Sequence, residues 1–154
     1  MNRPISFPRA QRGLSMIEVL ISVLVLALGL MGMAAMQALA LRGGQSSLES
    51  SQAVMAANSI IEAMRANRAN AASYVFDGTV NCASVPAAGL SLATWDIHQW
   101  TVQLKTAIGN DPADTGTCGS IAQVGGGVYE ITVQWDDRRA GGGQTRRLTT
   151  RATL

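Results

Sequence analysis

The chain has 154 residues, 47% of them hydrophobic, and its 12 Lys+Arg against 10 Asp+Glu give a formal charge of +2. Charged residues are only 14%, against roughly 25% in an ordinary soluble chain, which excludes a highly charged disordered protein and a strongly basic nucleic-acid binder. Two cysteines are too few for a disulfide-dense miniprotein or a four-thiolate zinc site, and the length suits one modest domain.

The apolar residues are unevenly spread. Residues 14–41 hold 22 of them in 28 positions, and Val19 to Met36 is a run of 18 residues without a charge. At 1.5 Å per residue, roughly 20 such residues in a helix cross the ~30 Å hydrocarbon core of a bilayer. Leu and Val occur on every side, so the run has no amphipathic face that would make it a core helix of so small a protein. A membrane segment is predicted here.

Its flanks give an orientation. Arg3, Arg9 and Arg12 precede the run, and no acid occurs among the first 13 residues. By the positive-inside tendency the N-terminal segment stays in the cytoplasm and the remainder crosses the membrane. Residues 14–154 keep 9 of the 12 bases and all 10 acids, a side-chain balance of −1. Glu18 stands at the mouth of the run. An intramembrane carboxylate costs about 2.5–3.5 kcal/mol at mid-helix and less near the interface, and is usually functional. A carboxylate at headgroup level beside a helix N-terminus is the bland alternative.

Arg12-Gly13-Leu14-Ser15-Met16-Ile17-Glu18-Val19-Leu20-Ile21 resembles the prepilin motif of type IV pilins and pseudopilins. The resemblance implies cleavage by prepilin peptidase after Gly13 on the cytoplasmic side, and methylation of the new amine of Leu14. Glu18 is then the fifth residue of the processed chain, where the family places its assembly glutamate. Leu14 stands where the family more often has Phe. A conventional signal peptide competes, since Ala38-Leu39-Ala40 matches an A-x-A cleavage site. An h-region of ~7–15 residues is, however, shorter than this run.

Beyond the run, Gly43-Gly44 predicts a bend or break, because Gly costs roughly 1 kcal/mol in a helix interior. Val54, Ala57, Ile61, Met64 and Arg68 then share one helix face at 3-4-3-4 spacing. The family resemblance instead implies one long helix from Leu14 to about residue 70, its second half packed on a head. The closing stretch Met64-Arg65-Ala66-Asn67-Arg68, followed by Tyr74, is similar to PilV-type minor pilins, the type IV pilus modification proteins.

After Ala72, Asp77-Gly78 and Pro86 predict loops. Trp95 to Ile108 reads as a short second helix with Ile97, Trp100, Leu104 and Ile108 on one side, stopped by Gly109-Asn110-Asp111-Pro112. Ser120–Val124, Val128–Trp135 and Thr145–Thr153 alternate as strands; in the second, Tyr129, Ile131, Val133 and Trp135 share a face. Gly125-Gly126-Gly127 and residues 136–143 are the turns. The predicted fold class is α+β and pilin-like: a long N-terminal helix, transmembrane in its first half, packed on a small three-stranded antiparallel meander with one extra short helix. The expected organisation is a leader over 1–13, a transmembrane and filament-core helix over 14–42, the amphipathic half of that helix over 43–72, and a periplasmic head over 73–154.

Cys82 and Cys118 lie too far apart in sequence for a redox C-x-x-C pair. In a head outside the cytoplasm they form one disulfide, worth about 3–4 kcal/mol in the chain-entropy model; two buried free thiols are the alternative. His98 is the sole histidine, which precludes a histidine triad or a multi-histidine metal site within one chain. The glycine triplets lack the ending of a phosphate loop, and Asp111 with Asp114 is too sparse for calcium. Arg138, Arg139, Arg146, Arg147 and Arg151 form a basic cluster beside Asp136 and Asp137, better read as a solvated hairpin edge than as a nucleic-acid surface. No enzyme, cofactor or metal is expected.

The resemblance implies a minor type IV pilin that primes pilus assembly and supports the tip complex. It would pass from the bacterial inner membrane, as a single-pass protein, to the extracellular pilus. The implied partners are prepilin peptidase, other minor pilins and the major pilin, the inner-membrane assembly platform, and a large tip adhesin. A minor pseudopilin of type II secretion shares the same N-terminus. A periplasmic binding module on an uncleaved signal anchor is the alternative of another class.

Overall fold

The computed structural model describes residues 13, 15–78, 82–140 and 143–154, with backbone only at 139 and 140. Two compact units part between Ala40 and Leu41.

Helix α1 runs from Met16 to Ala66, 51 residues. In the N-terminal unit every described residue is exposed. Within that unit Leu20, Leu24, Leu28 and Met31 are all exposed. The serine inside this apolar stretch satisfies its hydroxyl locally: Ser22 Oγ donates to the carbonyls of Glu18 at 2.6 Å and Val19 at 3.0 Å.

Of the bend or break expected at Gly43-Gly44, the break is corrected: α1 continues through both glycines, and neither has a positive φ. Two penalties of roughly 1 kcal/mol each are outweighed by the intact hydrogen-bond ladder and by core packing further along the helix, where each buried Ile contributes about 1.5–3 kcal/mol. The buried face is Glu49, Ala53, Ala57, Ile60, Ile61 and Met64. Val54, placed on that face from its spacing, is instead 47% exposed. The small Ala53 is the contact point, since a helix that must approach its neighbours closely turns a methyl inward. The helix ends at Ala66, short of residue 70, and a 3-10 segment Arg68–Tyr74 follows.

Tyr74 closes that segment. Its ring is fully buried and its hydroxyl donates to Asp96 Oδ2 at 2.5 Å. Burial and then the Asp96 hydrogen bond raise its pKa. Helix α2 spans Leu92–Leu104 and begins three residues before the expected Trp95, because Ser91 caps it: its side chain accepts from the Thr94 amide at 3.2 Å. A π turn over Lys105–Gly109 completes it. The left-handed stop is Asn110 (φ 59°), not Gly109; Asn tolerates that region almost as well as Gly.

The sheet has four antiparallel strands in the order β1 (Phe76–Asp77), β2 (Cys118–Gly125), β3 (Val128–Asp136), β4 (Thr145–Thr153). Strand β1, read from sequence as a loop, is a correction. Two residues carry no legible alternation, and they pair as Phe76↔Ile121 and Asp77↔Ser120. On β3, Tyr129, Ile131, Val133 and Trp135 are all buried as their alternation predicts. They meet α2 and the second half of α1 in one core. Trp100 lies at its centre, 2% exposed, and its indole donates to the Ala56 carbonyl of α1 at 3.0 Å. Gly119 lets β2 pass over that ring: a Cβ there would lie 2.2 Å from the Trp100 ring. The long helix, small antiparallel sheet and short extra helix make this an α+β, pilin-like fold.

Candidate functional site

The N-terminal site is built where α1 begins. Gly13 is exposed and outside regular structure; Leu14, the expected cleavage and methylation residue, lies outside the described residues, as do Arg3, Arg9 and Arg12. Ser15 supplies the first helical acceptor, its carbonyl taking the amides of Glu18 at 3.0 Å and Val19 at 3.3 Å. Glu18 thus sits in the first turn, where the helix dipole favours a carboxylate. Gly13 thus stands three positions ahead of the first residue of α1. Among the described residues, this is the one helix long and apolar enough to cross a membrane.

In the head, Cys82 and Cys118 are bonded, their Cα atoms 5.0 Å apart. The bond joins the segment before α2 to the first residue of β2. Beside it lies a residue the sequence reading passed over. Lys105 is fully buried and its ammonium donates to the carbonyls of Cys82 and Asp114. Burial lowers its pKa, and the Asp114 carboxylate opposes that shift. Asp114 in turn accepts from the amides of Gly116 at 3.2 Å and Thr117 at 2.6 Å. Burial acts to raise the Asp114 pKa, but the bonds from Thr117 and Gly116, with the Lys105 charge, hold its carboxyl below the ordinary value. The signal was available: Lys105 is the only lysine among 12 basic residues, on the helix side that carries Ile97 and Thr101. Arginine's broad guanidinium would not converge on two carbonyls in so small a space.

The other expected features have local partners. His98 Nδ1 lies 2.7 Å from the Pro86 carbonyl. Arg146 pairs with the buried Asp137 at 2.6 Å, Arg138 with Asp136 at 2.6 Å, and Arg151 with Glu130 at 2.8 Å. Arg147 donates to Gln134 Oε1 at 2.9 Å. Glu130↔Arg151 and Gln134↔Arg147 are facing pairs of β3 and β4, so strand register assembled the cluster. Asp111 and Asp114 turn their oxygens onto nearby backbone amides. Among the described residues, no group of three or more His, Cys, Asp or Glu could hold a metal ion.

The family described as the prokaryotic N-terminal methylation motif matches residues 8–34. The chain carries this motif at its N-terminal end. That match supports a type IV pilin-like protein and suggests processing by prepilin peptidase and assembly with other pilins. It covers Gly13, Leu14, Glu18 and most of the apolar run, and leaves the rest of the chain outside it. No curated protein and no solved structure matches the chain.

Proposed function

We propose that this chain is a prepilin and a minor type IV pilin of the PilV type: cleaved after Gly13, methylated at Leu14, and incorporated into the pilus, where it primes assembly and supports the tip complex. The observation that carries the reading is the position of Glu18, five residues into the processed chain and in the first turn of an apolar helix whose described residues from 16 to 40 are all exposed. The helix holds the subunit in the inner membrane with the head in the periplasm, and later packs in the filament core. A free α-amine and a carboxylate are each costly in hydrocarbon, and pairing lowers that cost. Glu18 of an incoming subunit therefore pairs with the Leu14 amine of a neighbour and fixes axial register. The Cys82–Cys118 bond suits the oxidising space into which the head passes. The protein acts as a structural subunit rather than an enzyme, with prepilin peptidase, other pilins, the assembly platform and a tip adhesin as partners.

Deletion of the gene tests the subtype. Loss of twitching with intact exoprotein secretion is the expected result; loss of exoprotein secretion with intact twitching would assign the chain to a type II pseudopilus instead.

A further inference from the structure

The groove between the second half of α1 and the end of α2 has no occupant among the described residues. It consists of two adjoining hollows of about 610 and 340 Å³ that share Gln52, Ala107 and Ile108. Along α1 the lining runs from Leu41 to Ser59, 18 helical steps or about 27 Å. Leu41, Leu48 and Met55 are spaced by seven and are 76%, 51% and 61% exposed. Apolar residues at intervals of seven form a seam that fits another helix rather than a strand or a small molecule. Arg42 is the only charged residue in the lining, it stands at one end, and no described residue forms an ion pair or hydrogen bond with it. The remaining polar lining is uncharged: Gln45, Gln52, Ser59, Gln103 and Asn110.

We infer that this groove receives the apolar N-terminal helix of another prepilin-type subunit, with that subunit's first-turn glutamate meeting Arg42. The inference rests on the proposed function and adds to it a contact surface and a register. The complement is written in this chain's own sequence, in which residues 13–41 carry a single charge, Glu18, followed by the 18-residue run Val19–Met36. Groove and run match in length, and each carries one charge, of opposite sign, at the same end. Polarity follows. With Glu18 of the incoming helix at Arg42, only a parallel helix lays Val19–Met36 along residues 43–60; an antiparallel helix runs out of the groove. The register is then 42 minus 18, or 24 residues, about 36 Å. That offset is close to the ~30 Å thickness of the hydrocarbon core. A subunit whose helix has just left the bilayer thus presents its glutamate to Arg42 of the next subunit, which is still inserted. The carboxylate has two acceptor oxygens, so Arg42 and the Leu14 amine of a different neighbour are compatible partners.

The test uses two tagged copies of the full chain co-expressed in cells that hold a prepilin peptidase and an assembly system, one Ile21→Cys and the other Gln45→Cys. These positions keep the offset of 24 residues and leave Glu18 and Arg42 in place. A second copy of this chain is the probe. Mild oxidation should give an intermolecular disulfide between the two tagged chains, roughly tenfold above the yield when Glu62→Cys replaces Gln45→Cys. Peptide mapping of Cys82–Cys118 verifies that the head is intact. Equal yields at positions 45 and 62, or no bond at 45, would overturn the inference. Mass analysis of the same sample reads leader removal after Gly13. Processed chains without the bond at 45 sink the groove alone, whereas unprocessed chains sink the proposed function beneath it.

Discussion

The two units of this chain handle apolar side chains in opposite ways. From Ser15 to Ala40 every described residue except those of the polar few is an exposed apolar one, and none is buried. From Leu41 onward Ile60, Met64, Tyr74, Trp100, Leu104, Ile131 and Val133 are withdrawn almost completely from solvent. Leaving a dozen large apolar side chains in water costs on the order of 20 kcal/mol, more than the 5–15 kcal/mol that stabilises a typical domain. The described residues of the first unit therefore give one another no cover, whereas the second unit supplies its own.

The largest expected effect breaks that contrast from the head side. Trp100→Ala empties the centre of the core and removes the indole bond to Ala56, and should cost about 3–5 kcal/mol. The equivalent truncation Leu24→Ala should leave the head's unfolding temperature unchanged, because Leu24 is 61% exposed and lies outside the core cluster. Thermal unfolding of the full chain in detergent, followed through the remaining tryptophans, compares the two. All three tryptophans lie in the head, so the signal reports that unit alone. A comparable loss for Leu24→Ala would mean that the apolar helix is part of the folded core.

Removing the bridge with a Cys82→Ser, Cys118→Ser double variant should cost the head about 3–4 kcal/mol in the same measurement. It should leave membrane extraction behaviour untouched. The penalty should shrink if Lys105 alone holds the two segments, since its ammonium already ties the Cys82 carbonyl to that of Asp114.

A smaller effect concerns acid. The Asp114 carboxyl is held below its ordinary value in the folded head. The unfolded chain therefore binds more protons between the folded and unfolded pKa values, and stability rises with pH in that window. The contribution is present above about pH 4 and is lost as pH falls through the folded value. Asp114→Asn should flatten the acid limb of the stability profile while leaving the slope near neutral pH unchanged. A profile identical to that of the parent chain would count against this reading of the Lys105–Asp114 contact.

The same contrast explains what could be read from residues alone. The apolar run and its glutamate are local patterns, legible because lipid imposes a length and a charge rule that no tertiary contact overrides. The alternation of Tyr129 to Trp135 was equally plain, since a half-buried strand displays its period directly. Strand β1 was invisible because two residues contain no period. The pair Gly43-Gly44 misled because an intrinsic penalty of roughly 1 kcal/mol per residue is smaller than the packing that carries α1 onward. Lys105 required the fold: only the approach of the Cys82 and Asp114 carbonyls turns a lysine on a short helix into an internal cation. Arg42 and the groove beside it became visible only when α2 was in place along α1.

The central claim is that the exposed apolar helix belongs to a processed prepilin. The intact mass of the chain extracted from membranes of a host with its own prepilin peptidase tests it most directly. The account predicts a protein that begins at Leu14 and is one methyl group heavier than the unmodified sequence. A chain that keeps residues 1–13, or an unmethylated chain that begins at Leu41, would contradict it.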